Sequence, residues 1–82
     1  MIQLRVLVSL KTSVFDPQGR TTLDALHGLG YKAAIDLRQG KSFLLTFDGI
    51  TEDEARGQAE EMARKVLSNP VIESFKIERV GS

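Results

Sequence analysis

Residues 10–19 read Leu10-Lys11-Thr12-Ser13-Val14-Phe15-Asp16-Pro17-Gln18-Gly19, and they join an alternating strand to the start of a helix. Asp16 is a favourable N-cap, because its carboxylate can accept hydrogen bonds from the free N–H groups of the first helical turn. Pro17 then takes the first helical position, where a missing N–H costs nothing. Gly19 is unexpected in the first turn, since glycine weakens a helix by about 1 kcal/mol relative to alanine. The stretch therefore predicts a capped helix start where another surface approaches the backbone of Gly19.

The segments on either side of this stretch have clear periodicities. From Ile2 to Leu10, apolar residues alternate with mostly polar ones, which predicts a half-buried strand. After Pro17, the apolar stripe of Leu23, Leu26 and Leu29, with Ala25 nearby, indicates an amphipathic helix. Gly30 is the expected C-cap residue that ends this helix.

The middle of the chain predicts a β-hairpin. Residues 33–38 alternate with Ala33, Ile35 and Leu37 on one face, and residues 42–47 alternate with Phe43, Leu45 and Phe47. The intervening Gln39-Gly40-Lys41 is expected to form a tight turn. These two segments are therefore predicted as the second and third strands.

The remaining sequence predicts a helix and a last strand. Thr51 and Glu54 form a capping box, and the expected buried stripe is Ala55, Ala59, Met62 and Val66. The last strand spans roughly Ile72 to Val80. The order β-α-β-β-α-β predicts a single α+β domain, residues 1–82, with a ferredoxin-like two-layer sandwich: a four-stranded antiparallel sheet and two helices on one face.

Composition excludes several classes of function. The chain has no cysteine, one histidine, and eleven basic residues balanced by eleven acidic ones. The balanced charge argues against a nucleic-acid partner, and no apolar run approaches the ~20 residues of a membrane span. The N-terminus runs directly into a strand, so we expect no signal peptide and a cytoplasmic location.

The residues offer little chemistry. His27 has no acid or nucleophile near it in sequence and is expected at the surface or its boundary. The acidic run 52–54 is explained by its place in the first turn of a helix, where the helix dipole favours negative charge. We therefore predict no catalytic residue and no metal ligand in this chain.

The sheet face away from the helices is predicted to carry Leu7 and Leu44 on the first and third strands, which are expected to be neighbours at the centre of the sheet. Scattered surface leucines are common, but two close together on an otherwise open sheet favour a homo-oligomer or partner contact. No aromatic side chain is predicted on this face, which argues against an RNA-recognition motif, where bases stack on such rings.

Four blocks of sequence together resemble the PurS family, the small subunit of phosphoribosylformylglycinamidine synthase. They are Val8-Ser9-Leu10-Lys11 leading into Val14 and Asp16-Pro17-Gln18-Gly19, then Ala25-Leu26 with Leu29-Gly30-Tyr31, then Asp36-Leu37-Arg38-Gln39-Gly40-Lys41, then Leu67-Ser68-Asn69-Pro70-Val71-Ile72-Glu73. Leu37 stands where valine is more usual, and Ser74 where the family often has an acid.

The resemblance implies a scaffold without its own active site, working as a dimer or tetramer. In the family, a glutaminase subunit releases ammonia, and a synthetase subunit uses ATP to form the amidine; the small subunit joins them and assists ammonia transfer. No cofactor is expected in this chain, and ATP and Mg²⁺ are expected in the synthetase. The predicted interface residues are Leu7, Lys11, Asp16, Pro17, Gln18, Gly19, Asp36, Arg38, Lys41 and Leu44. An ACT-like regulatory domain that binds a small ligand is the alternative.

Overall fold

A computed structural model describes residues 1–81 and shows a three-stranded antiparallel sheet with two α-helices and one π-helical turn. The elements follow in the order β1 (Ile2–Leu10), α1 (Pro17–Gly28), β2 (Gly40–Phe47), α2 (Glu52–Met62), the π turn (Ala63–Leu67) and β3 (Glu73–Val80). The α+β class is confirmed, whereas the fourth strand of the predicted sheet is not formed in the described part of the chain.

The sheet is built around β1. It pairs antiparallel with β2 on one side and with β3 on the other, giving the order β2-β1-β3. Leu4, Val6 and Val8 are fully buried on its inner face, which confirms the predicted alternation. Within residues 1–81, the two outer strands each have one hydrogen-bonding edge without a strand beside it.

Helix α2 covers the inner face of the sheet through alanines. Ala55 and Ala59 pack on Leu4, and Ala63 of the π turn packs on Val6 and Val8. Such small side chains let the helix approach the sheet closely. The start of α2 is as predicted, because the Thr51 hydroxyl accepts from the N–H of Glu54 and donates to its carboxylate.

The predicted burial of Met62 and Val66 is wrong, and the π turn explains the difference. Residues four apart drift by about 40° per step around an α-helix, because each residue advances about 100°. The wider π turn, closed by a bond from the N–H of Ser68 to the carbonyl of Ala63, compensates for that drift. Ala63 and Leu67 therefore stay on the sheet side, and Val66 is 80% exposed.

The predicted second strand and its tight turn are also wrong. Residues 34–39 belong to no helix or strand, and Ala33 lies in a turn. Gly40 pairs with Ser9, and Lys41 pairs with Val8, so β2 has already begun where the turn was expected. With those residues committed to pairing with β1, the chain does not reverse, and residues 33–38 run away from the sheet.

Helix α1 does not cover the sheet as predicted. Neither core cluster of the described residues contains any of its side chains. Instead α1 lies beside the returning segment, and the two together form an arm, residues 17–39. The chain is correspondingly elongated: its extents are 50 × 30 × 14 Å and its radius of gyration is 16.0 Å, against about 12 Å for a compact domain of this length.

The arm is held together by its own contacts. Leu23 is 4% exposed and lies beside residues 35–38. His27 Nε2 lies 2.6 Å from the carbonyl oxygen of Ala34, which places the ring proton on Nε2, and the Thr22 hydroxyl donates to the Gln39 side chain. The predicted stripe of α1 is thus only partly buried, since Leu29 is exposed.

The end of α1 confirms the role predicted for Gly30. Its φ is 103°, in the left-handed region that favours glycine. The N–H of Gly30 donates to His27, and the N–H of Tyr31 donates to Leu26, which is the Schellman arrangement. No helix in residues 1–81 is long and apolar enough to cross a membrane.

Candidate functional site at the junction of sheet and arm

Most of the predicted interface residues converge where the arm leaves the sheet. We call this region the junction; it comprises residues 9–19, 38–41 and Glu73. Asp36 lies further along the arm, beside the cleft that Leu23 also lines. Leu7 and Leu44 lie elsewhere, on the outer face of the sheet.

Asp16 links the two ends of the arm. Its Oδ1 accepts from the N–H of Gly19 at 2.9 Å, as an N-cap should, and its Oδ2 accepts from the N–H of Gln39 at 2.7 Å. The side chain is 6% exposed. The bonds from Gly19 and Gln39 and the charge of Arg38 lower the pKa of Asp16 and outweigh burial, which acts in the opposite direction.

Arg38 makes a second connection across the junction. Its Nη2 donates to the carbonyl oxygens of Lys11, at 2.9 Å, and Val14, at 2.7 Å. These carbonyls belong to the loop between β1 and α1. Asp16 connects this loop to Gln39, and Arg38, which precedes Gln39 in sequence, connects to the same loop. The orientation of the arm relative to the loop therefore depends on the polar contacts of Asp16 and Arg38.

Gly19 is needed by the arm itself. A Cβ at this position would lie 2.3 Å from the carbonyl oxygen of Leu37, too close for any side chain. Leu37 of the same chain therefore occupies the space in which a partner's surface was expected to approach the backbone of Gly19. The close approach itself is confirmed, and its cause is the return of residues 31–39 along α1.

Lys41 and Glu73 connect the two outer strands beside the junction. Lys41 Nζ lies 3.4 Å from Glu73 Oε2, and the other oxygen of Glu73 accepts from the N–H of Asn69 at 2.7 Å. The N–H of Lys11 also donates to the carbonyl of Ile72. These contacts tie the loop before β3 to the same end of β1.

A polar cleft of about 240 Å³ opens at this place, and Ser9, Leu10, Asp16, Gln18, Gln39, Gly40, Lys41 and Glu73 line it. Its lining carries two carboxylates, Asp16 and Glu73, against one ammonium group, Lys41, and Asp16 already accepts from the N–H of Gly19 in the first turn of α1. The cleft therefore suits hydrogen bonding to a neutral polar group better than binding of an anion.

Sequence reasoning missed the parts that Gln39 and Glu73 play here. The Gln39 contact is made by its backbone N–H, which no side-chain pattern reveals. Glu73 stands in one of the four blocks quoted above, and its role depends on the proximity of Lys41 across the sheet.

The outer face of the sheet carries the predicted leucine pair. Arg5 is paired with Leu44, and Leu7 with Ser42, which makes Leu7 and Leu44 diagonal neighbours on one face. Leu7 is half-buried and Leu44 is 53% exposed. The strand that carries Leu44 lies at the edge of the sheet, whereas it was expected at the centre.

Groups with catalytic or metal-binding geometry are not evident. Within residues 1–81 no group of three or more His, Asp or Glu side chains could hold a metal ion. His27 is half-buried and is used inside the arm.

Comparison with known proteins identifies the family to which the chain is similar. The family model for PurS, phosphoribosylformylglycinamidine (FGAM) synthase, matches residues 3–81. The PurS subunit of that enzyme from Bacillus subtilis is 41% identical over 78 residues, covering 95% of this chain and 92% of the relative. The subunit from Methanocaldococcus jannaschii is 34% identical over 77 residues, covering 94% and 93%.

Solved structures share the architecture described above. The structure of Bacillus subtilis PurS matches with a TM-score of 0.86 and 38% identity, covering 99% of this chain and 100% of that one. A chain of PurLQS from Thermotoga maritima matches with a TM-score of 0.89, covering 96% of each chain; at 24% identity it shows the shared fold.

Proposed function

Because the chain belongs to the PurS family of phosphoribosylformylglycinamidine synthase subunits, we propose that it holds the glutaminase and synthetase subunits of that enzyme together. The enzyme is an ATP-dependent ligase of purine biosynthesis, and this chain is one of its subunits. ATP and Mg²⁺ are assigned to the synthetase. The same assignment predicts a cytoplasmic location.

The observation that carries this proposal is the extent of the family match. It runs over residues 3–81, so it includes the arm and the junction as well as the sheet. Relatives whose names describe them as a subunit match over more than nine-tenths of their own length. The shared architecture is therefore that of the whole small subunit.

The contribution of this chain is geometric. By holding the two larger subunits in a fixed relation, it lets ammonia released at the glutaminase reach the synthetase without escaping to water. Preferential binding to one conformation of the synthetase would also make the release of ammonia depend on the synthetase's state. The junction, with its polar cleft, and the exposed arm are the surfaces proposed to make these contacts.

Self-association belongs to the same proposal. The arm and the loop before it expose four large apolar side chains, which are Phe15, Leu29, Tyr31 and Ile35. A chain of 82 residues buries only about 60–65% of its unfolded surface, so covering these side chains in a dimer or tetramer would add stability.

Reconstitution of the enzyme from its separate subunits tests the proposal. Without this chain, glutamine-dependent formation of the amidine should fall at least tenfold. Ammonia-dependent formation by the synthetase alone should be unchanged. Glutamine-dependent turnover that is equally fast without this chain contradicts the scaffold role.

The ACT-like alternative predicts tight binding of a small ligand at the junction cleft. Calorimetry of the isolated chain with glutamine, other amino acids and ATP distinguishes the two functions. Micromolar binding of any of them favours the alternative, and the scaffold role predicts none.

A further inference from the structure

The arm is joined to the rest of the chain at the junction. The chain enters the arm between Asp16 and Pro17 and leaves it between Gln39 and Gly40, and no side chain of α1 belongs to either core cluster of the described residues. The packing of the core therefore does not fix the direction of the arm. The contacts that oppose its rotation are the polar contacts of the junction.

Arg38 is the side chain that connects the arm to a turn outside it. Asp16 joins the two ends of the arm to each other. Arg38 Nη2 instead donates to the carbonyl oxygens of Lys11, at 2.9 Å, and Val14, at 2.7 Å. Because the N–H of Val14 also donates to the carbonyl oxygen of Lys11, at 2.8 Å, these two residues are the first and the last of a β-turn.

This turn is itself fixed to the sheet. Lys11 directly follows β1, and its N–H donates to the carbonyl oxygen of Ile72, in the loop before β3, at 2.9 Å. The contacts of Arg38 therefore run from the arm, through the turn 11–14, to the loop that precedes β3. Hydrogen bonds from a charged donor are about twice as strong as neutral ones, and both weaken steeply when their geometry is distorted. Rotation of the arm against the sheet is thus opposed at Arg38.

A small rotation at the junction has a large effect at the far end of the arm. Helix α1 has 12 residues, so it is about 18 Å long. A rotation of about 10° at its start moves its end by about 3 Å. Transfer of ammonia between two active sites depends on their relative position, and a misplacement of about 1 Å in an enzyme can cost about a hundredfold in rate.

We propose that Arg38 is a positioning residue for the coupling of glutamine hydrolysis to amidine formation. By holding the arm against the turn 11–14, it sets the direction of the arm relative to the sheet, and with it the relative position of the two larger subunits. It acts through the arm, and no contact with glutamine or with the acceptor substrate is assigned to it. This inference rests on the proposed function, in which this chain holds those subunits together.

Distances within one chain test the positioning itself, without the larger subunits. The chain has no native cysteine, so Lys32→Cys, in the arm, and Lys76→Cys, on β3, provide two sites for spin labels. Labelled copies are refolded with an excess of unlabelled ones, so that pulsed electron spin resonance measures distances within a chain. Arg38→Met keeps an unbranched side chain and removes the donors, and it should broaden the distance distribution at least twofold. An unchanged width overturns the proposal.

Arg20→Met is the matched control, because Arg20 is also an exposed arginine of the arm but pairs with Asp24 inside α1. Its distance distribution should equal the native one. Arg38→Lys keeps a charged donor without the guanidinium fork, so its distribution should have an intermediate width. Equal broadening in Arg20→Met, or no recovery in Arg38→Lys, overturns the proposal. If Arg38→Met does not fold, a native width in Arg38→Lys overturns it.

The reconstituted enzyme tests the consequence for the reaction. With Arg38→Met, glutamine hydrolysis should continue at the native rate, while the amidine formed per glutamine hydrolysed should fall at least fivefold and free ammonia should account for the difference. Ammonia-dependent synthesis should be unchanged, and the subunits should still sediment as one complex. An unchanged ratio of amidine to hydrolysed glutamine, or loss of the complex, overturns the positioning role. The proposed function fails by a different result, which is full glutamine-dependent turnover without this chain.

Discussion

At the scale of the residue, Asp16 has two roles that one substitution can separate. Asparagine is as good an N-cap as aspartate, so Asp16→Asn keeps the bond from Gly19. It replaces the second carboxylate oxygen, which accepts from Gln39, by an N–H₂ group that cannot accept. The contact between the two ends of the arm is therefore lost while the helix start is kept.

We expect Asp16→Asn to lower the melting temperature at pH 7 and to have less effect in acid. The pKa of Asp16 is below its ordinary value of 3.8 in the folded chain, so its stabilisation is present above that value. It is lost as the pH falls through the folded pKa. Thermal unfolding from pH 2 to pH 7 should show the two melting temperatures converging below about pH 4.

Thr51→Asn is the matched control. Thr51 caps α2 by accepting from the N–H of Glu54, but it does not also accept from a backbone N–H that is distant in sequence, as Asp16 does from Gln39. Its melting temperature should stay near that of the native chain across the same pH range. A native-like melting temperature for Asp16→Asn at pH 7 would show that the bond to Gln39 does not hold the arm.

At the scale of the element, two glycines in helices should respond oppositely to alanine. Gly57 lies inside α2 with open space around it, so Gly57→Ala should raise the free energy of unfolding by about 0.5–1 kcal/mol. Gly19→Ala should lower it by about 1–3 kcal/mol, because the new methyl group collides with the carbonyl of Leu37. Urea unfolding at one protein concentration measures both.

The opposite signs are what make this comparison informative. Both changes favour helix formation by propensity alone, so equal stabilisation would show that the contact with Leu37 is absent in solution. A loss of stability in Gly57→Ala would indicate a neighbour at that exposed face of α2.

The elements that the sequence predicted correctly are those determined by local chemistry. Strand β1 follows from a period of two, and the two helix starts follow from Asp16-Pro17 and from Thr51 with Glu54. The end of α1 follows from Gly30, whose positive φ most other residues avoid.

The elements predicted wrongly depend on contacts between distant residues. The alternation of residues 33–38 is typical of a strand. The predicted turn after it does not form, because Gly40 and Lys41 pair with residues of β1. The burial of Ala63 in place of Met62 depends on a π turn that sequence periodicity does not reveal. At the junction, Asp16 and Arg38 were predicted as contact residues, whereas their use inside the chain is a property of the fold.

At the scale of the whole molecule, the proposed self-association makes stability depend on protein concentration. Association stabilises the folded state by mass action, so the melting temperature of the native chain should rise with concentration. Ile35→Lys should weaken this dependence and lower the melting temperature. Since Ile35 is almost fully exposed within one chain, a loss of stability on its substitution reports contact with another copy.

Val66→Lys is the control for this experiment, because Val66 is similarly exposed but lies on the π turn, outside the proposed contact. It should retain the concentration dependence of the native chain. Equal melting temperatures for Ile35→Lys and the native chain at all concentrations would contradict a contact at Ile35.

The central position of β1 has a consequence for how the chain is made. Its partner strands β2 and β3 end at Phe47 and Val80, so β1 is synthesised well before both of its partners are complete. At roughly 5–20 residues per second, several seconds separate the synthesis of Leu10 from that of Val80. During this interval an apolar, alternating strand has no completed sheet to join, and pairings so distant in sequence form slowly. A newly made chain therefore leaves one edge of β1 unpaired until β3 has been made, although β1 later lies at the centre of the sheet.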